Sequence, residues 1–264
     1  MIAAAVPAPD PVPPRSLVLD GVAKRFGGIE AIRSVTMSIP PARVTGLIGP
    51  NGAGKTTVVN LITGIYKLTA GRIRFGDEDI TEAEPHHIAR AGIARTFQTI
   101  RLLKEASVLD NVVVGFHRRE RTSLGVNLLG LPGARRERAE FRAQARALLS
   151  RFGLMQYADL PAGALSYGHQ RRVEMMRALA AHPVLVLLDE PVAGMNDAEA
   201  AELAVVLREF TAEGLGILLI EHNMRFVMSL CTEIHVLANG TLIASGAPET
   251  IAHHPAVIQA YLGA

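Results

Sequence analysis

Apolar residues recur along this chain in two alternating patterns. The segment 43–48 is short, β-branched and apolar, and a glycine-rich loop follows it. Residues 184–188 and 216–220 are continuously apolar, as strands buried on both faces of a sheet tend to be. Between these runs the period changes to that of a helix. Val58, Val59, Leu61 and Ile62 fall on one helical face that ends near Gly64. Asn196 followed by Glu199 has the spacing of a capping box, and Leu203, Val206, Leu207 and Phe210 then supply the apolar stripe of a packed helix. Near the end, IHVLANGTLIASG reads as a hairpin turning at Asn239-Gly240, because both residues tolerate positive φ. The alternation predicts an α/β fold with a largely parallel sheet. Around residues 100–180 the strand signals fade and Arg-rich helical sequence takes over, which reads as a helical subdomain inserted into the α/β core. No internal repeat is found.

Composition narrows the class. At about 150 residues per domain, 264 residues make one large domain or two small ones, with 49% apolar and 20% charged residues, so a mainly disordered chain is excluded. The formal charge of +2, from 27 basic and 25 acidic residues, argues against a protein that coats nucleic acid. Cys231 is the single cysteine, so no internal disulfide forms, and nothing around it suggests a zinc site. A spanning helix needs about 20 apolar residues, whereas the run at 184–188 stops at Asp189, so no membrane span is expected. The first fifteen residues, MIAAAVPAPDPVPPR, hold five prolines and no unbroken apolar core; they read as a disordered tail rather than a signal peptide, and the protein as cytosolic. Residues 117–146 carry eight Arg against three Glu, a net of +5. That stretch suits anionic lipid headgroups or, more simply, a solvated helix face. The pairs His86-His87 and His253-His254 lack neighbouring ligands and read as surface residues; Met175, Met176, Met224 and Met228 read as core filler.

The strongest chemical signal is Gly49-Pro50-Asn51-Gly52-Ala53-Gly54-Lys55-Thr56, which fits GxxxxGK[ST]. Glycines let the backbone wrap closely enough for successive N–H groups to face phosphate oxygens. Lys55 then contacts the β- and γ-phosphates, the Thr56 hydroxyl ligates Mg²⁺, and the helix starting near Lys55 points its positive end at the same anion. Thr57 is counted with the same cradle. With 24 Gly in the chain, random placement gives only about 0.003 matches to the pattern. A nucleotide-triphosphatase also needs a carboxylate for Mg²⁺ and a group that orients the attacking water. Asp189, at the tip of a buried strand, suits the Mg²⁺ shell, and Glu190 stands one residue nearer the open site. Adjacent strand side chains point opposite ways, so a turn beginning at Pro191 is needed to bring both acids to the nucleotide. A GTPase would carry an NKxD-type motif, for which the four lysines leave no place.

Leu165-Ser166-Tyr167-Gly168-His169-Gln170-Arg171-Arg172 separates the remaining classes. Here the sequence resembles the ATP-binding cassette family of transport ATPases, whose signature is LSGGQ-like. The resemblance covers nearly everything from about residue 17 to 262, with several motifs in the family's order. It implies a P-loop NTPase fold of α/β class: a RecA-like core, an antiparallel β subdomain and an α-helical subdomain at about 99–180, all within a single domain over 16–264. By that resemblance Phe26 stacks on adenine, Gln98 senses Mg²⁺ and water, Asp189 is the magnesium carboxylate, Glu190 the catalytic glutamate and His222 the switch histidine near the γ-phosphate. Asn196 takes the place where many members have Asp, in a loop that communicates between paired subunits. Ser166, Gly168 and His169 are implied to meet the ATP held by the opposite subunit, so that ATP joins two cassettes and hydrolysis frees them. Taken by themselves, His222 also fits a structural histidine and Phe26 a core residue.

ARTFQTIRLLKEASVLDNV, LSYGHQRRVE, DEPVAGMN, LLIEHNM and VIQAYLG resemble, more narrowly, the ATPase subunits of branched-chain amino acid importers. Tyr167 and His169 in the signature, Asp197 where Pro is common and Asn223 where Asp is common depart from the pattern, and none removes a catalytic group. The resemblance implies two membrane-spanning permease subunits, a second ATPase subunit, identical or related, and indirectly an extracytoplasmic binding protein, with the chain peripheral at the cytoplasmic membrane face and no nucleic acid partner. Related cassettes serve urea, amides or lipopolysaccharide export, and fold alone does not choose among cargoes. A soluble cassette protein acting on ribosomes or DNA usually carries two cassettes or a long coiled-coil insertion, and 264 residues hold one cassette. A nucleotide-gated binding module without catalysis would lack Glu190 or Lys55, and both are present.

Overall fold

The structure is a computed structural model that describes residues 14–119 and 132–262. Most of the proline-rich stretch at 1–15 and the middle of the basic stretch at 117–146 lie outside the described residues. In chain order the strands are β1 (Leu17–Phe26), β2 (Ile29–Ile39), β3 (Val44–Ile48), β4 (Ala70–Phe75), β5 (Glu78–Asp79), β6 (Ile93–Arg95), β7 (Leu185–Asp189), β8 (Gly216–Ile220), β9 (Glu233–Ala238) and β10 (Thr241–Gly246). The helices are α1 (Lys55–Ile62), α2 (Pro85–Arg90), α3 (Val108–Val114), α4 (Pro132–Arg151), α5 (Tyr167–Leu179), α6 (Asp197–Ala212), α7 (Met224–Leu230), α8 (Pro248–Ala252) and α9 (Pro255–Leu262). The chain divides into two compact units, one holding Pro14–Thr99 and Pro183–Ala264, the other Ile100–His182.

The first unit is built on one sheet in the order β5-β4-β1-β2-β10-β9-β3-β8-β7-β6. β9, β3, β8, β7 and β6 pair in parallel, with Val44 opposite Ile217 and Leu187 opposite Leu218. All residues of β3, β7 and β8 are buried, as their continuous apolar runs require. The largely parallel sheet read from the hydrophobic pattern is only this part. Beyond it lies the antiparallel β subdomain that the family resemblance implies, with β5, β4, β1 and β2 paired antiparallel, as are β9 and β10, while β10 pairs with β2 in parallel. Only Gly27 and Gly28 separate β1 from β2, and a parallel pair needs a far longer crossover. Leu17, Leu19, Val22, Val35, Met37 and Ile39 point into the core shared with Leu61, Ile62 and Phe75. Irregular register between Leu19 and Val22, and again before Lys24, breaks the period-2 signal of β1, while β2 keeps it over Val35–Ile39.

Local signals fare well. α1 buries Val58, Val59, Leu61 and Ile62. Asn196 and Glu199 form a reciprocal capping box at the start of α6. The buried stripe of α6 is Ala200, Leu203, Ala204 and Leu207, with Val206 and Phe210 only half-buried. The hairpin turns at Asn239 (φ 47°) and Gly240 (φ 75°), between the paired residues Ala238 and Thr241.

In the second unit the described residues contain helices and one isolated bridge, Ser107 to Pro161. Phe116 stacks on Phe141 at 5.2 Å between ring centroids. α5 buries Val173, Met175, Met176 and Leu179, followed by Ala180. It also buries an Arg171–Glu174 ion pair at 3.1 Å. His182 holds φ 50° and takes an N–H from Arg119 on Nε2 at 3.0 Å. Burial, then the Arg119 charge, lowers its pKa to about 4. Met224 and Met228, in the first unit, are half-buried rather than core. Cys231 is buried, which pushes its thiol pKa up to about 12 and leaves it unreactive. His86, His87 and His253 are exposed. Among the described residues no helix is long and apolar enough to cross a membrane, and no group of three or more His, Cys, Asp or Glu is placed to hold a metal.

Candidate nucleotide-binding site

β3 runs into the loop 49–54, which leads into α1. The loop's shape depends on two glycines. Gly49 adopts φ 150°, and a Cβ there would lie 1.9 Å from the Leu237 carbonyl oxygen of β9. Gly54, the N-cap of α1, has φ 107°, and its Cβ would meet Ile32 Cδ1 at 2.6 Å. Ala53 is buried; its N–H donates to Pro50 O at 3.2 Å, and its carbonyl accepts from Gly240 N at 3.0 Å. Asn51 and Gly52 stay exposed at the tip. The Lys55 ammonium donates to the carbonyls of Gly49 (2.7 Å) and Pro50 (3.0 Å), so the loop wraps around it. Thr56 is exposed and Thr57 half-buried. No side chain caps α1, whose first-turn N–H groups lack partners within the helix by its geometry. Burial lowers the Lys55 pKa, and the charges of Glu190 and Asp189 act against that shift. The cation and both carboxylates therefore share one field.

β7 ends on buried Asp189, whose N–H donates to Thr96 Oγ1 at 3.2 Å. Arg95 lies 3.7 Å from Asp189 Oδ2 and donates to Asn60 Oδ1 at 2.6 Å, tying the far end of α1 to this carboxylate. The chain turns one residue earlier than Pro191. Glu190 itself adopts φ 50°, and its N–H donates to Ile220 O at 2.8 Å. That left-handed residue breaks the strand's alternation and frees Glu190 from the opposite face. Gln98 Nε2 donates to Glu190 Oε2 at 3.5 Å, and His222 Nδ1 lies 3.7 Å from Glu190 Oε1. Three segments far apart in sequence thus bring Gln98, Glu190 and His222 together. Phe26 is 41% exposed; Tyr66 meets its ring edge-on at 5.1 Å and the Lys24 ammonium lies 5.0 Å from its centroid. Phe26 is therefore an exposed ring carrying a lysine over its face rather than a core residue.

Ser166, Gly168 and His169 belong to the helical unit. Ser166 is exposed and caps α5, its Oγ accepting from His169 N at 3.3 Å. Gly168 is buried inside the first turn of α5, which begins at Tyr167. The His169 ring packs at 5.1 Å on Tyr157. Asn196 caps α6 as described.

Three contributors escaped the sequence reading. Arg95 links Asp189 to Asn60 of α1. Tyr261 is raised in pKa by burial, while a hydrogen bond with the Gly49 backbone opposes the rise, so the C-terminal helix touches the loop's first residue. Glu221, beside His222, is almost fully buried. Arg95 and Tyr261 act on residues remote in sequence, and Glu221 acts on backbone N–H groups, those of its neighbours His222 and Asn223 and of the remote Val192, so no side-chain pattern marks any of them.

A glycine cradle after a central parallel strand, a lysine folded into it and a carboxylate at the tip of another strand of the same sheet define a phosphate-loop nucleotide-binding domain. Residues 32–193 match a family described as "ABC transporter", and residues 241–264 one described as "Branched-chain amino acid ATP-binding cassette transporter". The chain is 42% identical over 248 residues to the high-affinity branched-chain amino acid transport ATP-binding protein LivG of Escherichia coli (strain K12), covering 94% of this chain and 97% of LivG. It is 41% identical to the corresponding protein BraF of Pseudomonas aeruginosa, with the same coverage of 94% and 97%. A crystal structure of a nucleotide-free ATP-binding cassette from an ABC transporter aligns with a TM-score of 0.82 at 34% identity, covering 95% of this chain and 100% of that one. The chain belongs to the ABC transporter family, as one of its ATP-binding cassettes.

Proposed function

We propose that this chain is the ATP-hydrolysing subunit of an importer of branched-chain or other hydrophobic amino acids, peripheral at the cytoplasmic face of the membrane. The observation that carries the catalytic part is the convergence of Lys55, Asp189, Gln98, Glu190 and His222. The backbone from Gly49 to Gly54 cradles the phosphates, with Pro50, Asn51, Gly52 and Ala53 between. Lys55 pairs with the β- and γ-phosphates, Thr57 flanks them, and Phe26 stacks on adenine. The wrapped loop that supports this reading needs glycine at 49 and 54, because a Cβ there would collide with the Leu237 carbonyl or with Ile32. Thr56, Gln98 and Asp189 are the residues that would hold Mg²⁺. The ion, when bound, neutralises charge on the β- and γ-phosphate oxygens.

Glu190 accepts the proton of the attacking water as that water's oxygen bonds to the γ-phosphorus and the bond to the β-phosphate oxygen breaks. Its φ of 50° points it at the site rather than along the strand. Gln98 Nε2, at 3.5 Å, and His222 Nδ1, at 3.7 Å, flank the two oxygens of the same carboxylate, and His222 also serves the γ-phosphate. Ser166, Gly168 and His169 face the ATP of a second ATPase subunit, since a helix start with a hydroxyl and close amides suits a phosphate. The imidazole of His169 stands where relatives of this signature carry a glutamine amide. Two membrane-spanning permease subunits provide the passage, and an extracytoplasmic binding protein delivers the cargo.

The names of LivG and BraF and the match over residues 241–264 support branched-chain amino acids as cargo. The test is uptake of radiolabelled leucine, isoleucine and valine by cells with and without the gene, with a tagged copy purified from native membranes. Loss of leucine uptake and co-purification of two multispanning subunits are expected. Unchanged leucine uptake with loss of urea or amide uptake would assign the other cargo, and recovery of ribosomes would overturn the transport role.

A further inference from the structure

We propose that Glu221 is a positioning residue for ATP hydrolysis: its buried carboxylate fastens the segment that carries Glu190 to the turn that carries His222. This rests on the roles given above to Glu190 and His222. Glu221 follows β8 directly and is 1% exposed. Its Oε1 accepts from Val192 N at 3.2 Å. Its Oε2 accepts from His222 N at 2.8 Å and from Asn223 N at 3.0 Å. One carboxylate therefore receives three backbone N–H groups from two loops.

The arrangement bears on the strained residue of the site. Glu190 holds a left-handed backbone, which a non-glycine residue keeps only when its surroundings fix it. Its N–H is held by Ile220 O at 2.8 Å, and two residues later the Val192 N–H is held by the Glu221 side chain. Consecutive residues of one strand end thus pin both sides of the Glu190 turn. On its other oxygen Glu221 pins the backbone of His222, whose Nδ1 lies 3.7 Å from both Glu190 Oε1 and Glu221 Oε2. Asn223 continues the chain of support by accepting from Phe226 N at 3.1 Å and capping α7. The Glu190 base and the His222 switch are therefore set relative to each other through Glu221, while the phosphate cradle is built from other residues.

Glutamine at 221 is the discriminating change, because it keeps size and shape but has one acceptor oxygen. That oxygen can serve Val192 or the His222–Asn223 pair; the NH₂ then confronts an N–H on the opposite side. In the purified full-length chain, Glu221→Gln is expected to melt as a cooperative fold and to bind ATP within about twofold of the parent. Its kcat is expected to fall about 10- to 100-fold, the scale of a misplaced catalytic group. Combined with His222→Ala, it should slow hydrolysis by no more than about twofold beyond His222→Ala alone, since both act on the same relationship. If the Gln variant does not fold, Glu221→Ser, small enough to admit water to the freed N–H groups, is expected to show the same loss at constant ATP affinity. A parental kcat, a loss of ATP affinity matching the loss of kcat, or multiplicative losses in the double variant would each overturn the proposal. Glu190→Gln is the reference: hydrolysis at the parental rate there removes the catalytic reading and this proposal with it. Loss there, with parental kcat in Glu221→Gln, removes this proposal alone.

Discussion

The Nδ1 atom of His222 lies 3.7 Å from Oε1 of Glu190, on an imidazole that is 72% exposed against 30% for the carboxylate. The carboxylate is thus sheltered while its partner faces outward. Such an imidazole can meet a phosphate on one side and orient a carboxylate on the other. The pair forms because β7 and β8 are parallel neighbours in register, Asp189 opposite Ile220, so their ends deliver Glu190 and His222 to one place. Ligand sites beyond the carboxyl ends of parallel strands are a property of open α/β sheets generally.

Lys55 is held by two loop carbonyls and stands in the field of two carboxylates. Replacing it by Ala removes the one side-chain cation of the cradle. ATP affinity should fall about 10- to 100-fold, the range for a hydrogen bond to a charged group. Equilibrium titration with ATP and Mg²⁺ measures this, and unchanged affinity would contradict the assignment of the loop.

Gly49→Ala and Gly52→Ala should differ sharply. A Cβ at Gly49 would lie 1.9 Å from the Leu237 carbonyl, whereas at Gly52, with φ 78°, nothing lies within 4 Å. The second change carries only the left-handed backbone penalty of about 1–2 kcal/mol. The first adds a collision with the sheet and should cost at least about 2 kcal/mol more. Thermal melting of the two variants provides the comparison, and equal losses would contradict the geometry.

His182 predicts an acid-sensitive step in the helical unit. Its pKa falls from 6.5 to about 4 in the folded chain, first through burial and then through Arg119. Between those values the unfolded chain binds a proton that the folded chain does not. The stability present above pH 6.5 is therefore lost progressively as pH falls toward 4, by about 2 kcal/mol once solvent at the half-buried ring is allowed for. Asn tolerates the φ of 50° and does not titrate, so His182→Asn should flatten this part of the profile. Melting temperatures from pH 7 to pH 4 with identical slopes in both chains would refute the role of His182.

What was legible in the sequence was what neighbours in sequence determine. The strand Gly216–Ile220, the capping box at Asn196 and Glu199, the turn at Asn239-Gly240 and the buried face of α1 all depend on contacts within a few residues. β1 loses its alternation beyond Leu19, where the register is irregular, whereas β2 does alternate over Val35–Ile39, a signal the pattern reading passed over. Arg171 and Glu174 are charged yet buried, because each neutralises the other one turn away inside α5. The direction of Glu190 depends on a left-handed φ held by hydrogen bonds from β8, which no property of Asp189-Glu190-Pro191 reveals. Glu221 looks like a surface acid; its partners are backbone N–H groups, which leave no trace in side-chain patterns. The motif residues were legible because phosphate chemistry restricts their types, whereas their supports are restricted only by distance.

The most direct test of the account is ATP hydrolysis by the purified chain carrying Glu190→Gln, measured with ATP binding and oligomeric state in the same samples. Gln keeps the shape of the side chain but cannot take the proton. The account predicts hydrolysis reduced to background, ATP bound as tightly as in the parent, and an ATP-dependent dimer that persists because hydrolysis no longer separates it. Hydrolysis at the parental rate would contradict the central claim that Glu190 is the base of this ATPase.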